Sequence, residues 1–315
     1  MATSPSPTPS PRTVVAATDL SETAAIGIHW ASEIAADHGS HLHLLHALSL
    51  SGWAMDYVEI DAGISARIAE SARERLAEIA EMPRQMGIEV TWEVETGAPS
   101  EVIAAAAQRL GAGLLVIGTR GIRGLDYLLL GSTAQRVVQR AACPVLTVHP
   151  QDADRERPIR RILAATDFSD EAESAVAASL ALLGGSPADT EVVLLHVCQV
   201  PYELGYETGY MSAASGLQQS RAVTQEIERR LEKAALPLRE TGTQVRTLVV
   251  EGYPPEVIVE QAEHVAADLV AMGTHGRTGL AHVFLGSTAE RVIHRAPCPV
   301  LTVRRHQTRA TPEGI

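Results

Sequence analysis

The chain has 315 residues, of which 45% are hydrophobic and 3% aromatic, so it is long enough for two domains that each bury a core. Its 38 acidic residues outnumber its 26 basic ones and give a net charge of −12. An acidic chain with few aromatic side chains lacks both the cationic patch and the stacking surface that nucleic-acid binding requires, so we expect no nucleic-acid partner.

Strand and helix patterns alternate along the first half of the chain. The patterns predict a strand at 13–17, a helix at 21–38 with Ser21 as its N-cap, a strand at 42–47, a helix at 64–82 that Pro83 bends or ends, a strand at 88–94, a helix at 100–110, a strand at 114–117, a helix at 133–140 and a strand at 145–148. The second half repeats this order. Such alternation predicts βαβ units, and therefore parallel sheets with helices on both faces.

The two halves form a tandem repeat. VVAATDLSETA at 14–24 corresponds to ILAATDFSDEA at 162–172, and CPVLTV occurs at 143–148 and again at 298–303. A repeat of this length indicates a duplicated domain rather than a solenoid unit. We therefore predict a first domain at 13–150, a charged, proline-containing linker at 151–160 and a second domain at 161–305.

The two terminal segments and the cysteines help to predict the cellular compartment of the protein. Residues 1–12 are rich in Ser, Thr and Pro and have no apolar core, which predicts a disordered tail rather than a secretory signal. Residues 306–315 are predicted to be a C-terminal tail. No apolar run is long enough to span a membrane, and three scattered cysteines suit neither a disulfide framework nor a zinc site. We expect a cytoplasmic protein without membrane insertion.

Both halves carry the same glycine-spaced loop between the fourth strand and the fourth helix. It reads GTRGIRGLDYLLLGST at 118–133 and GTHGRTGLAHVFLGST at 273–288, and nine of the sixteen positions are identical. Connections in βαβ units usually run about 2–6 residues, and longer ones tend to be functional. Because glycines allow close approach to an anion and a helix N-terminus offers unpaired N–H groups, the loop is predicted to hold phosphate groups.

An aspartate closes the first strand of each half, at Asp19 and Asp167. In a doubly wound sheet the ligand lies outside the carboxyl ends of the strands, where the strand order reverses. A carboxylate there accepts hydrogen bonds from a ribose hydroxyl or an adenine amino group, so the sequence predicts a nucleotide site. Each feature alone also fits a plain turn or a helix cap, but their joint repetition in both halves favours a ligand.

These motifs resemble the universal stress protein family. The family pattern Gly-x2-Gly-x9-Gly-Ser/Thr is matched at 118–132 and again at 273–287, and the ATD segment, the strand ending in LLH and the closing CPVLTV are also similar. The resemblance covers nearly the whole chain. Together with the alternating pattern it implies two tandem, doubly wound, five-stranded parallel sheets with strand order 3-2-1-4-5, a Rossmann-like fold of the adenine nucleotide alpha hydrolase type.

The resemblance also implies the ATP-binding branch of the family, with two ATP molecules per chain, with or without Mg2+. The glycine motif would hold the phosphates and ribose, while the strand-one aspartate, its neighbours and the end of the second strand would contact adenine and ribose. The implied sites are Ala17, Thr18, Asp19, Ala47, Gly118, Arg120, Gly121, Gly131, Ser132 and Thr133, and then Ala165, Thr166, Asp167, Val197, Gly273, His275, Gly276, Gly286, Ser287 and Thr288. Arg120 departs from the histidine that the family often has, although arginine also suits a phosphate.

Catalytic motifs are absent from the sequence. There is no P-loop lysine and no kinase series, and Asp126 in the first loop is replaced by alanine in the second. The histidine run at 38–46 offers too few convergent ligands for a metal: His41 and His43 share a strand face and His46 points to the other. We interpret His46 and His196 as structural polar groups, and Cys143 and Cys298 as small buried side chains.

Three functions remain open at this stage. The first is a nucleotide-binding stress or signalling protein in which ATP changes shape or partners without being consumed. The second is a slow ATP-hydrolysing or nucleotidyl-transfer enzyme of related fold, and the third is a ligand-free assembly module that retains the loop as a relic. The apolar final strands at 145–148 and 300–303 are edges that proteins usually cover. Because the final strands of two domains commonly pair in the family that the chain resembles, we expect these strands to pair, within the chain as a pseudo-dimer or between chains as a homodimer.

Overall fold

The computed structural model describes residues 10–49, 62–119, 131–153, 158–183, 186–198, 213–275 and 285–304. The first half consists of β1 (Thr13–Thr18), α1 (Glu22–His38), β2 (His41–Leu48), α2 (Ala62–Gln85), β3 (Val90–Thr96), α3 (Pro99–Arg109), β4 (Leu114–Gly118), α4 (Ser132–Arg140) and β5 (Val145–Val148). The second half consists of β6 (Arg161–Ala165), α5 (Asp170–Ala181), β7 (Glu191–Cys198), α6 (Ala213–Glu240), β8 (Gln244–Glu251), α7 (Pro254–His264), β9 (Leu269–Gly273), α8 (Ser287–Arg295) and β10 (Val300–Val303). Short 3-10 turns lie at Pro150–Asp152 and Pro187–Asp189.

Two predicted boundaries in the first half are wrong by a few residues. Helix α2 does not end at Pro83 but continues to Gln85, so the proline removes one hydrogen bond of the last turn without ending the helix. The predicted strand at 88–94 begins only at Val90. Ile88 donates its N–H back to the carbonyl of Pro83 over 3.3 Å, so it completes the helix terminus instead of opening the strand.

The strands form one ten-stranded sheet in the order β3-β2-β1-β4-β5-β10-β9-β6-β7-β8. Each half contributes five parallel strands with the predicted order 3-2-1-4-5, so β1 and β6 are central. The halves meet where β5 and β10 pair antiparallel, with Leu146 opposite Leu301. The expected pairing of the final strands is therefore present within the chain.

Two hydrophobic cores cover the two faces of this sheet. Alternate residues of the central strands point to opposite faces: Val14 and Ala16 contribute to the core beneath α1 and α2, and Val15 and Ala17 to the core beneath α3 and α4. Each core extends through both halves. In the described part of the chain, no helix has both the length and the apolar character required to cross a bilayer.

Side chains that follow the last strand of each half also join the halves. His149 follows β5, and its Nε2 lies 2.6 Å from the carbonyl oxygen of Ile293 in the last turn of α8. Arg304 follows β10 at the equivalent position and donates to the carbonyl of Gln139 in the last turn of α4. Since the last carbonyls of a helix have no partner within the helix, each half caps the final helix of the other.

Candidate functional site

The turn after β1 is strained and held by side chains. Leu20 has φ 65°, in the left-handed region that residues other than glycine seldom occupy. Its N–H donates to Thr18 Oγ1 over 3.0 Å, and the N–H of Ser21 donates to Asp19 Oδ1 over 3.1 Å. The second half repeats the φ and both contacts through Thr166, Asp167, Phe168 and Ser169.

Asp19 and Asp167 therefore have a structural role, as the helix-cap interpretation anticipated. The turn they stabilise places Ser21 and Ser169 as N-caps, whose hydroxyls accept from the N–H three residues later over 3.2 and 3.3 Å. Backbone strain of this kind persists where the surroundings fix it, and it is common at ligand sites. The two aspartates therefore stabilise these turns and also lie at the carboxyl edge of the sheet.

His46 and His196 fix the ends of the second strands, in agreement with the structural role predicted for them. His46 Nδ1 lies 2.9 Å from the carbonyl oxygen of Thr18, and His196 Nδ1 lies 2.7 Å from that of Thr166. A carbonyl oxygen can only accept, so Nδ1 carries the proton in both imidazoles. These bonds tie the carboxyl ends of neighbouring strands together, next to the strained turns.

The glycine-spaced loops are closed at their base by a backbone hydrogen bond. The N–H of Gly131 donates to the carbonyl of Thr119 over 2.9 Å, and that of Gly286 to Thr274 over 3.0 Å. The φ angles of these glycines, −56° and −58°, suit any residue. These positions need glycine because a side chain would have little space. A Cβ on Gly131 would lie 3.2 Å from the carbonyl oxygen of Thr119, and a Cβ on Gly286 only 2.8 Å from the carbonyl oxygen of Thr274.

Gly131 and Gly286 are also the N-caps of α4 and α8. A glycine N-cap has no side chain that could accept from the first N–H groups of its helix, so these groups stay available to a ligand from outside. The positive end of the helix dipole lies at the same point. Both helices therefore begin with the free N–H groups and the positive dipole end on which the predicted phosphate sites depend.

In the second half these elements enclose a cleft of about 380 Å³ at the carboxyl edge of the sheet. The cleft brings together every described residue predicted for that site: Ala165, Thr166, Asp167, Val197, Gly273, His275, Gly286, Ser287 and Thr288. The predicted residues Arg120, Gly121 and Gly276 lie outside the described residues. The equivalent described residues of the first half end β1, β2 and β4 and begin α4, so the shared strand order places them at the same edge.

Half of the residues that line the cleft were not predicted from the sequence. The additional residues are Ala172, Leu195, His196, Pro254, Ile258, Met272, Thr274, Leu285 and Ala289. Pro254 and Ile258 come from the start of α7, in the segment GYPPEVI that repeats GAPSEVI of the first half, and this repetition could have identified them. Most of these additional residues are apolar, while the predicted ones supply hydroxyls, a carboxylate and an imidazole. A mostly apolar lining with a few polar groups is typical of small-molecule sites.

The histidine run of the first half forms a separate hydrogen-bonded cluster. Thr91 Oγ1 lies 2.8 Å from His43 Nδ1 and 2.9 Å from His41 Nε2, so these two histidines share a face as predicted. His43 Nε2 lies 3.1 Å from a carboxylate oxygen of Glu93, and burial lowers the pKa of His43. Among the residues that the structure describes, no group of three or more potential ligands is arranged to hold a metal ion.

The three cysteines are expected to react slowly in the folded protein. Burial raises the pKa of the Cys143 thiol to about 12, burial and the nearby Glu251 raise the pKa of Cys198, and Cys298 is fully buried. Because the thiolate is the reactive form, titration with an aromatic disulfide reagent at pH 8 should label these thiols slowly in the native state and all three in denaturant. A thiol that reacts rapidly in the native protein would contradict this expectation.

A parallel sheet of order 3-2-1-4-5, with a cleft at its carboxyl edge beside a helix that begins at a glycine, is typical of the Rossmann-like class of nucleotide-binding folds. The sequence profile described as the universal stress protein family matches residues 11–149 and again residues 158–304. The chain therefore belongs to the universal stress protein family, as a member with two tandem domains.

Individual relatives agree with this assignment. A universal stress protein of Mycolicibacterium smegmatis is 27% identical over 307 residues, which cover 92% of this chain and 96% of the relative. One from Methanocaldococcus jannaschii is 38% identical over 151 residues, 48% of this chain and 85% of the relative. The crystal structure of a universal stress protein from Archaeoglobus fulgidus shares the fold, with a TM-score of 0.66, 21% identity and coverage of 94% and 99% of the two chains.

Proposed function

We propose that this universal stress protein binds ATP, one molecule in each half, and that bound nucleotide alters its conformation or its partners in a cytoplasmic stress or signalling response. The observation that carries the proposal is the cleft of the second half, where the predicted residues meet at one edge of the sheet. The described elements of that site recur in the first half, which supports a second site.

The cleft offers a suitable group for each part of the nucleotide. The adenine would lie beside Val197 and the apolar lining, and the carboxylate of Asp167 would accept from ribose hydroxyls. The phosphates would lie at Gly286, Ser287 and Thr288, where backbone N–H groups and hydroxyls donate and the helix dipole favours negative charge. A bound Mg2+ would rely on phosphate oxygens and water for most of its ligands, as this ion commonly does.

The proposal favours binding over turnover. Asp167 stabilises the turn before α5, and His196 donates to the carbonyl of Thr166. Two titratable groups of the cleft therefore already make structural hydrogen bonds. Rapid phosphoryl transfer also needs metal ligands and a group that positions the nucleophile, and the sequence contains none of the motifs that supply them. A slow hydrolytic or nucleotidyl-transfer activity is the competing proposal.

The test begins with the nucleotide that the purified protein releases on denaturation, identified by mass spectrometry. Nucleotide-stripped protein should then bind two ATP molecules per chain in a calorimetric titration. Prolonged incubation with ATP and Mg2+ should yield no ADP or AMP beyond the protein-free control. Product formation would favour the enzyme, and the absence of both released nucleotide and binding heat would favour the relic module.

A further inference from the structure

A hydrogen bond links the first turns of the two helices that begin at the proposed phosphate sites. Gln135 Nε2 of α4 donates to Glu290 Oε1 of α8 over 2.9 Å, and both side chains are partly buried. Each residue bonds its own N–H to the carbonyl of the N-cap glycine, Gly131 or Gly286, over 3.0 Å. The pair therefore lies about one helical turn from each proposed site.

Gln135 and Glu290 occupy equivalent positions of the two halves, and they face each other across the joint where β5 pairs with β10. In a symmetric dimer of single-domain chains, equivalent positions must hold the same residue. Two glutamates there would repel, and two glutamines would carry no charge. A tandem chain can hold one of each, which satisfies the hydrogen bond and leaves the negative charge on one helix.

That charge distinguishes the two proposed sites. Glu290 lies in the first turn of α8, where a carboxylate interacts favourably with the helix dipole but repels a phosphate at the same terminus. The first turn of α4 is Ser132–Gln135 and contains no acidic residue. The carboxylate carried by α8 therefore opposes each added phosphate charge at the second site, while the first turn of α4 contributes no charge of its own to the first site.

We propose that Glu290 is a specificity-determining residue, which weakens the affinity of the second site for polyphosphate relative to uncharged nucleoside. The inference rests on the proposed function and concerns how it differs between the halves. For a carboxylate in the first helical turn beyond the proposed phosphate position, partly screened by solvent, removing the charge should tighten ATP binding by about fivefold. Adenosine, which is uncharged, should change by less than about twofold.

The experiment compares variants in a Gly131→Val chain, where the first site is closed and calorimetric heat reports the second. Glu290→Gln should tighten ATP about fivefold and leave adenosine unchanged. The exchange Gln135→Glu with Glu290→Gln keeps one hydrogen bond and the total charge, so equal tightening would assign the effect to the charge on α8. Glu263→Gln, which removes the same charge from the last turn of α7, is the matched control and should have no effect.

A second measurement does not depend on the Gly131→Val background. In the otherwise unmutated chain, Glu290→Gln should tighten ATP binding more at the second site than at the first, and the change should shrink as salt is raised. An ATP affinity that stays within twofold, or an equal gain for adenosine, would overturn the inference. Absence of ATP binding in the unmutated chain would instead overturn the proposed function.

Discussion

Replacing Gly286 by valine should remove ATP binding from the second half and reduce the calorimetric stoichiometry from two to one. A Cβ at this position would lie 2.8 Å from the carbonyl oxygen of Thr274, which is closer than such atoms approach in proteins. The backbone must shift, and with it the first turn of α8, which presents Ser287 and Thr288 to the cleft. Affinity at this site should fall at least about 100-fold, or roughly 2.7 kcal/mol.

The first half provides a matched series for this prediction. A Cβ on Gly131 would lie 3.2 Å from the carbonyl oxygen of Thr119, so Gly131→Ala needs only a small adjustment of the loop base. Because the backbone moves little, the affinity that Gly131→Ala loses would measure how closely the phosphates approach this glycine more directly than Gly286→Val does. Gly131→Val should remove the first site, and the double valine variant should bind no ATP. Two sites persisting in folded Gly286→Val protein would refute the assignment.

The fold was largely predictable from the sequence because its main features leave local signals. Buried parallel strands appear as short apolar runs, and helices appear with apolar residues on one face. The strand order came with the family resemblance, and so did the pairing of β5 with β10, which two apolar edges that proteins usually cover also favoured. The caps that His149 and Arg304 provide were not predictable, since each joins residues more than 140 positions apart and no local pattern marks them.

The candidate site was predictable only in part, for a different physical reason. Glycines, hydroxyls and the aspartates mark polar chemistry in a sequence, whereas residues such as Leu195 and Met272 look like any other core residue. Sequence alone also could not separate the two roles of one residue. Gly286 serves a close backbone contact as well as the proposed phosphate site, and Asp167 stabilises a turn. A residue with either role would be repeated in both halves, so the repetition does not distinguish the two roles.

Replacing Asp152 by alanine should lower the free energy of unfolding by about 3 kcal/mol, because it breaks a buried polar cluster at the joint between the halves. Asp152 is completely buried. Its Oδ2 accepts from the backbone N–H of His149 over 2.7 Å and lies 3.3 Å from Nδ1 of the same imidazole. The backbone carbonyl of Asp152, which the alanine variant keeps, accepts from Trp30 Nε1 over 3.2 Å, so the bonds lost are those of the carboxylate to His149, which in turn contacts the end of α8.

Asp189 is the matched control, since it too is the acidic third residue of a 3-10 turn but is exposed. Asp189→Ala should change the free energy of unfolding by no more than about 0.5 kcal/mol, while Asp152→Asn should lose less than the alanine variant because its amide oxygen can still accept from His149. Urea unfolding followed by circular dichroism measures all three. Since His149 also caps α8, the loss in Asp152→Ala should appear in both halves as one shifted transition. Equal stability of the Asp152→Ala and Asp189→Ala proteins would show that the cluster does not hold the halves together.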